Sequence, residues 1–373
     1  MDVPEHVLCL NGGRIVNKRM AMFIEGLRTD GIGVRILALP RGPWILDKSE
    51  QPTTPDRLCR MTAEVGIQPH SRLASILCFH WSVLPLAAML GMLWRVPVVY
   101  DEHDHYELNT LEGDGSLLRR RLYSVLVRWI HRLFLPLVSL VTCIHLNQQT
   151  LKRHLEKWQP SVLEIHNYPS RIWREFPRSA GPQSTLCFVY IGGVYYEKGV
   201  GAASEAFLAL PESVRRHAEL HVFGDGDRQL IAELKQKSGV VVHNGVSPDV
   251  FRRFTANHSC CGLSLLANTP RYSLVGTNCT KLYEYLALGM PVIATRVGEF
   301  PDFISANQLG LLIDGDLSVT QLSHAMQRLI EDQNLFESCS LNARQLMSRD
   351  EMTWEHQWDR IEQTGFVPHR KAA

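Results

Sequence analysis

The chain has 373 residues, 45 % of them hydrophobic and 21 % charged, with a formal net charge of +1 at pH 7. That length suits two domains of ordinary size, and that composition is typical of a globular protein with buried cores. The near-zero charge excludes a bulk attraction to nucleic acid, and the nine cysteines show no C-x-x-C pair or zinc spacing, so reduced, buried thiols are expected.

The first residues, Met1 to His6, carry no basic, hydrophobic leader, which makes a cytoplasmic location the expectation. Six apolar runs then alternate with helical patterns: Val7–Leu10, Val34–Leu39, Ile76–Phe79, Pro97–Tyr100, Leu140–Ile144 and Val162–Ile165. Such alternation predicts a parallel sheet covered on both faces, with functional groups at the carboxyl ends of its strands. Gly12, Gly13 and Arg14 follow the first strand and form a glycine turn that lets a ligand approach the backbone. Ser82 to Tyr100 is the most apolar window, but Arg95 and Pro97 split it into a helix of about 13 residues and a strand, too short to span a bilayer.

Asp101-Glu102-His103-Asp104-His105 ends the fourth strand and reads either as a solvated loop or as a site. Next, Leu117 to Leu135 predicts a helix with a narrow polar stripe of Arg121, Ser124, Arg128, His131 and Arg132. The rest of its circumference is apolar, wider than a sheet-covering helix needs. No acid lies between Asp114 and Glu156, while seven Lys or Arg do. Two readings stay open: deep burial with the arginines facing solvent, or docking on an anionic membrane surface.

Asn167 to Pro182 reads as a linker, after which the pattern restarts with Leu186–Ile191, Leu220–Phe223, Val240–Val242, Gly262–Leu266, Val292–Ala294 and Gly310–Ile313. Gly192-Gly193 and Lys198-Gly199 follow the first of these strands; the glycines allow a ligand close to the backbone, and a lysine offers it a point charge. Asp225-Gly226-Asp227 and Asp314-Gly315-Asp316 each follow a strand, where Asp-Gly is a default turn, so no metal site is expected. Lys281 and Glu284 sit three apart near the start of a helix that Gly289 ends, before the buried strand Val292–Ala294. A helix start carries about +0.5 charge and suits a phosphate, and a carboxylate one turn in can accept from a vicinal diol.

The run Lys281-Leu-Tyr-Glu284-Tyr-Leu-Ala-Leu-Gly289-Met-Pro291-Val-Ile-Ala294 resembles the C-terminal-domain motif of the family-4 retaining glycosyltransferases. The resemblance implies an α/β fold of GT-B type, two doubly wound Rossmann-like domains facing across a cleft. It places an acceptor-binding domain at 1–170, a nucleotide-sugar domain at 183–350, and a C-terminal helix at 351–373 crossing back to the first domain. It implies that Glu284 holds the donor's ribose, that Lys198 contacts its diphosphate, and that His103 lies beside the transferring sugar. Gly192, Gly193, Gly224, Asn278, Lys281 and Glu299 complete the implied donor side, with no cofactor and no metal beyond the nucleotide-sugar substrate. The implied partners are a nucleotide-sugar donor, a glycan or lipid-linked acceptor, and an anionic membrane surface meeting 117–135 on the inner face of the plasma membrane.

Two departures stand out. Gly193 occupies the place of a family arginine, and Gly276 that of a first glutamate eight residues before Glu284. Lys281, Arg271 or Arg296 is then left to supply the missing charge, and Glu299 the missing carboxylate. The rival readings are a GT-B sugar-nucleotide epimerase and a catalytically inactive GT-B binding module.

Overall fold

The computed structural model describes residues 5–12, 17–39, 62–66, 70–108, 116–175, 185–245, 247–274 and 279–368. The chain divides into two compact units, Met1–His166 with Glu355–Ala373, and Asn167–Trp354.

The first unit is built on a seven-stranded sheet: β1 Glu5–Asn11, β2 Gly33–Ala38, β3 Thr62–Val65, β4 Arg72–Cys78, β5 Val98–Glu102, β6 Leu140–Cys143 and β7 Val162–Glu164. The strands lie in the order β3-β2-β1-β4-β5-β6-β7. All pairings are parallel except β2 with β3. The strands expected from the apolar runs are present, because a strand buried on both faces must be apolar throughout. β3 is additional; it is a short antiparallel edge whose Glu64 accepts from Arg35 Nε at 2.9 Å. The strand order reverses between β1 and β4, so the loops leaving these two strands frame a crevice at the carboxyl edge of the sheet. Helices α1 (Lys18–Thr29), α2 (Leu84–Trp94) and α3 (Leu117–Phe134) belong to this unit.

In α3 the polar stripe is divided: Ser124 and His131 are buried together with Val127, while Arg121, Arg128 and Arg132 are exposed, Arg128 pairing with the buried carboxylate of Glu107. The apolar side is exposed as well, at Leu118, Leu122, Val125, Leu126, Trp129 and Leu133, and so are Met89, Met92, Leu93 and Trp94 of α2. His131 is drawn inward by the buried pair Tyr100 and Glu102, its Nε2 lying 3.5 Å from the Glu102 carboxylate. No helix among the described residues is long and apolar enough to cross a membrane.

The chain from Glu355 returns to the first unit. Trp358 donates from Nε1 to Asp30 at 2.8 Å and sets its ring edge-on to Phe23. A Cβ on Gly26 would meet that indole at 2.4 Å, so only glycine admits the tryptophan here.

The second unit carries a six-stranded parallel sheet: β8 Leu186–Ile191, β9 Ala218–Phe223, β10 Val240–His243, β11 Ser259–Ser264, β12 Val292–Thr295 and β13 Gly310–Ile313. Their order is β10-β9-β8-β11-β12-β13, with the reversal between β8 and β11. The unit begins before residue 183. Tyr168 is buried edge-on to Tyr283 at 4.7 Å, and Arg171 pairs with Asp350 at 2.8 Å, so the start of the expected linker is part of this unit's core. Residues 176–182 lie outside the described residues.

Candidate donor and acceptor sites

In the second unit the loop after β8 leaves at the topological switch point. Gly192 has φ 131° and Gly224 φ 155°, and a Cβ on Gly224 would lie 1.8 Å from the Gly192 carbonyl oxygen. This approach binds the loops after β8 and β9 together, Val194 donating to the Asp225 carbonyl and accepting from Asp227 N. The Asp227 carboxylate caps the following helix through Leu230 N at 2.9 Å. Asp314 accepts from Gln321 Nε2 at 2.7 Å, and Asp316 accepts from Ser318 N at 3.1 Å. The carboxylates of Asp227, Asp314 and Asp316 thus serve in turns and caps.

Helix α4 (Thr280–Ala287) is fixed to the same corner by Tyr285, whose hydroxyl oxygen accepts from Ile191 N at 2.9 Å at the end of β8. Lys281 is one turn earlier on the same helix face. Its Nζ sits 4.3 Å from the centre of the Tyr190 ring, and that nitrogen is buried with no hydrogen-bond partner. Burial first, and then the charge of Lys198, push its pKa down to about 8, against the opposing influence of Cys279. Lys198 is half-buried in the single turn Tyr196–Lys198, which closes on Gly199 at φ 70°. Two lysines and a glycine loop thus share one end of the sheet, and an anion is the species that would satisfy the stranded ammonium.

Glu284 lies on α4 three residues after Lys281 and is buried. Glu299 is half-buried at the start of the helix Phe300–Ala306, after Gly298 at φ 68°. Of the candidates for the missing charge, Arg296 stands 3.8 Å from Asp314 in an exposed pair, whereas Lys281 is at the loop. At Gly193 a Cβ would come within 2.7 Å of the Tyr195 ring, and the Gly193 carbonyl accepts from Tyr190 OH at 2.6 Å. The place of the expected arginine is thus lined by Tyr190 and Tyr195, and the ammonium of Lys281 lies on the Tyr190 ring. Asn278 and Gly276 lie outside the described residues.

In the first unit, the carboxyl ends of β1, β4 and β5 bring His80, His103 and Tyr106 together. Asp101 is buried in an ion pair with Arg19 at 3.1 Å and accepts from Thr142 Oγ1 at 2.7 Å. His103 Nδ1 stands 3.7 Å from this carboxylate. Asn17 caps α1 by accepting from Met20 N through Oδ1, so its amide nitrogen faces His103 Nε2 at 3.1 Å. An amide nitrogen can only donate, which makes Nε2 the acceptor and puts the ring proton on Nδ1, toward Asp101. Tyr106 OH lies 2.8 Å from the same Nε2, and its ring is edge-on to His80. Gly12 admits this packing, since a Cβ there would meet Ser82 Oγ at 2.6 Å and the His80 ring at 2.7 Å. Gly13 and Arg14 lie outside the described residues. Sequence reasoning passed over Asn17, Arg19, Tyr106, Tyr190 and Tyr285. Tyr106 and Tyr285 were within reach, being three and one residues from His103 and Glu284.

Residues 172–346 match the family model of glycosyl transferases group 1. The whole chain shares its fold with solved structures at low identity. One is HepE from Anabaena, in complex with UDP and glucose, at TM-score 0.65 and 14 % identity, covering 96 % of this chain and 99 % of that one. Another is WaaG, a glycosyltransferase involved in lipopolysaccharide biosynthesis, at TM-score 0.60 and 17 % identity, covering 95 % and 99 %. A third is sucrose-phosphate synthase from Thermosynechococcus elongatus, at TM-score 0.63 and 14 % identity, covering 96 % and 98 %. No curated sequence matches the chain. The α/β architecture is that of the GT-B glycosyltransferases.

Proposed function

We propose that the protein transfers a sugar, with retained anomeric configuration, from a nucleotide-sugar to a hydroxyl of a lipid-linked glycan. The observation that carries this reading is the buried ammonium of Lys281, without a hydrogen-bond partner and beside Lys198 at the Gly192-Gly193 loop. A buried unpaired charge is costly unless a ligand of opposite sign joins it, and a diphosphate has that sign. Lys198 and Lys281 neutralise the departing diphosphate without a metal, Glu284 accepts from the ribose hydroxyls, and His103 orients the transferred sugar. Glu299 stands in for the missing first glutamate. The family match over 172–346 and the nucleotide and nucleotide-sugar complexes of HepE support the donor class.

A membrane-bound acceptor is supported by α3. Its apolar side is exposed, and Arg119, Arg121 and Arg132 flank it without an acid on the helix. That combination suits reversible attachment to anionic lipid at the inner membrane face.

The test is nucleotide release from UDP-, GDP-, TDP- and ADP-sugars, with and without a lipid-linked acceptor, alongside thermal shifts with the free diphosphates. Release that depends on acceptor is the expected result. Acceptor-independent conversion would favour an epimerase, and donor binding without release an inactive module. No shift with any nucleoside diphosphate would overturn the donor site itself.

A further inference from the structure

At the opposite end of the second sheet from the glycine loops, a second cluster lies near the amino ends of three neighbouring strands. Cys187 on β8 is in register with Glu219 on β9 and with Cys260 on β11. Side chains two apart on a strand share a face, so His221 joins them on the same side of the sheet. One ligand atom from each of Cys187, Glu219 and His221 lies within 4.8 Å of the other two. His221 Nε2 is 2.9 Å from the Glu219 carboxylate, and its Nδ1 is 3.0 Å from His243 Nε2. Cys187 thus lies beside His221, with Cys260 as its register partner on β11.

We propose that Cys187, His221 and Glu219 bind a divalent ion of the zinc class, with water in the fourth position.

Thiolate, imidazole and carboxylate are the donors that borderline-soft ions select, and a tetrahedral zinc site needs ligand atoms about 3.3–3.6 Å apart. Separations up to 4.8 Å require only a small contraction. The imidazole is already aimed. With His243 bonded to Nδ1, the atom facing both the carboxylate and the thiol is Nε2, and electron-rich groups converge there on a place that demands a proton or a metal. The ring is held flat between neighbours, stacked on His243 at 16° and packed on Phe254 at 4.6 Å. Cys187 and Cys260 are buried while Glu219 is half-exposed, so the carboxylate marks the path of entry. Because the cluster is at the amino ends of the strands, its role is to tie β8 and β9 together, away from the proposed transfer chemistry.

The test is titration of the metal-free, reduced, full-length protein with Co²⁺, followed by displacement with Zn²⁺. The expected result is one ion per chain, a near-ultraviolet thiolate-to-cobalt band and visible bands of a tetrahedral ion. Cys187→Ser and His221→Gln should abolish the near-ultraviolet band. Glu219→Gln, which alters only a half-exposed side chain, should weaken binding by about tenfold. Zn²⁺ should raise the melting temperature of the wild type and leave that of Cys187→Ser unchanged. A wild type without the thiolate band, or a band that survives Cys187→Ser, overturns the site. Lys198→Ala should keep the band, which separates this site from failure of the donor reading.

Discussion

Lys281 rests its ammonium on the face of Tyr190, 4.3 Å from the ring centre, with no hydrogen-bond partner. Helix α4 and strand β8 impose this arrangement through Tyr285, whose hydroxyl is held by Ile191 N. The aromatic face offsets part of the charge, but not its lost hydration.

The cost has a pH signature. Folded, Lys281 titrates at about 8 against an ordinary 10.5, so between those values the unfolded chain binds more protons and stability rises with pH. Below pH 8 the buried ammonium costs on the order of 3 kcal/mol. A diphosphate recovers it by binding the charged form, so donor affinity should be level from pH 6.5 to 7.5 and fall as pH passes 8. Lys281→Met should raise the melting temperature of the free protein while weakening diphosphate binding about ten- to one-hundred-fold. Calorimetric titration from pH 6.5 to 9.5 checks both; affinity that is flat through pH 9 in the wild type rules out the role.

Glu284 is the next to test. Two charge-assisted hydrogen bonds to a ribose are worth about 1.5–3 kcal/mol each, so Glu284→Ala should lower donor-dependent turnover by roughly two to four powers of ten. A variant within threefold of the wild type in both rate and donor affinity removes the ribose role.

The strands were legible because parallel strands buried on both faces must be apolar without interruption, as in Leu186–Ile191. β3 escaped because a four-residue antiparallel edge, Thr62–Val65, leaves too short a pattern. For α3, periodicity identified two faces but not which one turns inward; Tyr100 and Glu102, distant in sequence, capture His131 and draw it and Ser124 into the core. Local motifs named Lys198, Lys281 and Glu284. The pairing of Lys281 with Tyr190 depends on how α4 packs on β8, which no local spacing encodes. The cluster of Cys187, Glu219 and His221 is likewise a product of strand register, invisible to any search for closely spaced ligands.

Lys198 makes a separate prediction. If the two lysines neutralise the diphosphate, turnover should survive a chelator, while Lys198→Ala loses most of it. Loss of activity in chelator, restored by Mn²⁺, would instead return the Asp-Gly-Asp triplets to consideration as metal ligands.

The first unit should be sensitive to acid. Burial, and then the neighbouring His154, hold His105 down to about 4 and His131 down to about 3. Both are depressed, so the unfolded chain takes up protons first as pH falls from 6.5, and stability drains away toward pH 4 and 3. Glu102 works the other way, since burial raises its carboxyl well above the usual range, but one carboxyl offsets only part of two imidazoles. Hydrogen exchange between pH 7 and 4.5 should show β5 and α3 losing protection with acid. In His131→Leu the loss should be shallower; an unchanged slope would mean that His131 is not responsible.

The final prediction concerns α3 and the membrane. Leu118 is 70 % exposed, Leu122 62 % and Trp129 50 %, on a helix whose only buried residues are Ser124, Val127 and His131. Arg128 is engaged with Glu107, so the cations left to meet lipid phosphate are led by Arg121 and Arg132. Each basic residue near an anionic surface contributes about 1 kcal/mol, and the apolar side chains add to it by leaving water. The wild type should therefore sediment with anionic vesicles at low salt and release as salt rises, because the attraction acts within a Debye length of about 8 Å at physiological ionic strength. Replacing Leu118, Leu122 and Trp129 by serine should abolish sedimentation, and Arg121→Gln should weaken it. None of these four side chains is buried, so the melting temperature should stay nearly constant or rise. A wild type that never sediments with such vesicles would remove the membrane from the scheme and leave a water-soluble acceptor as the substrate to seek.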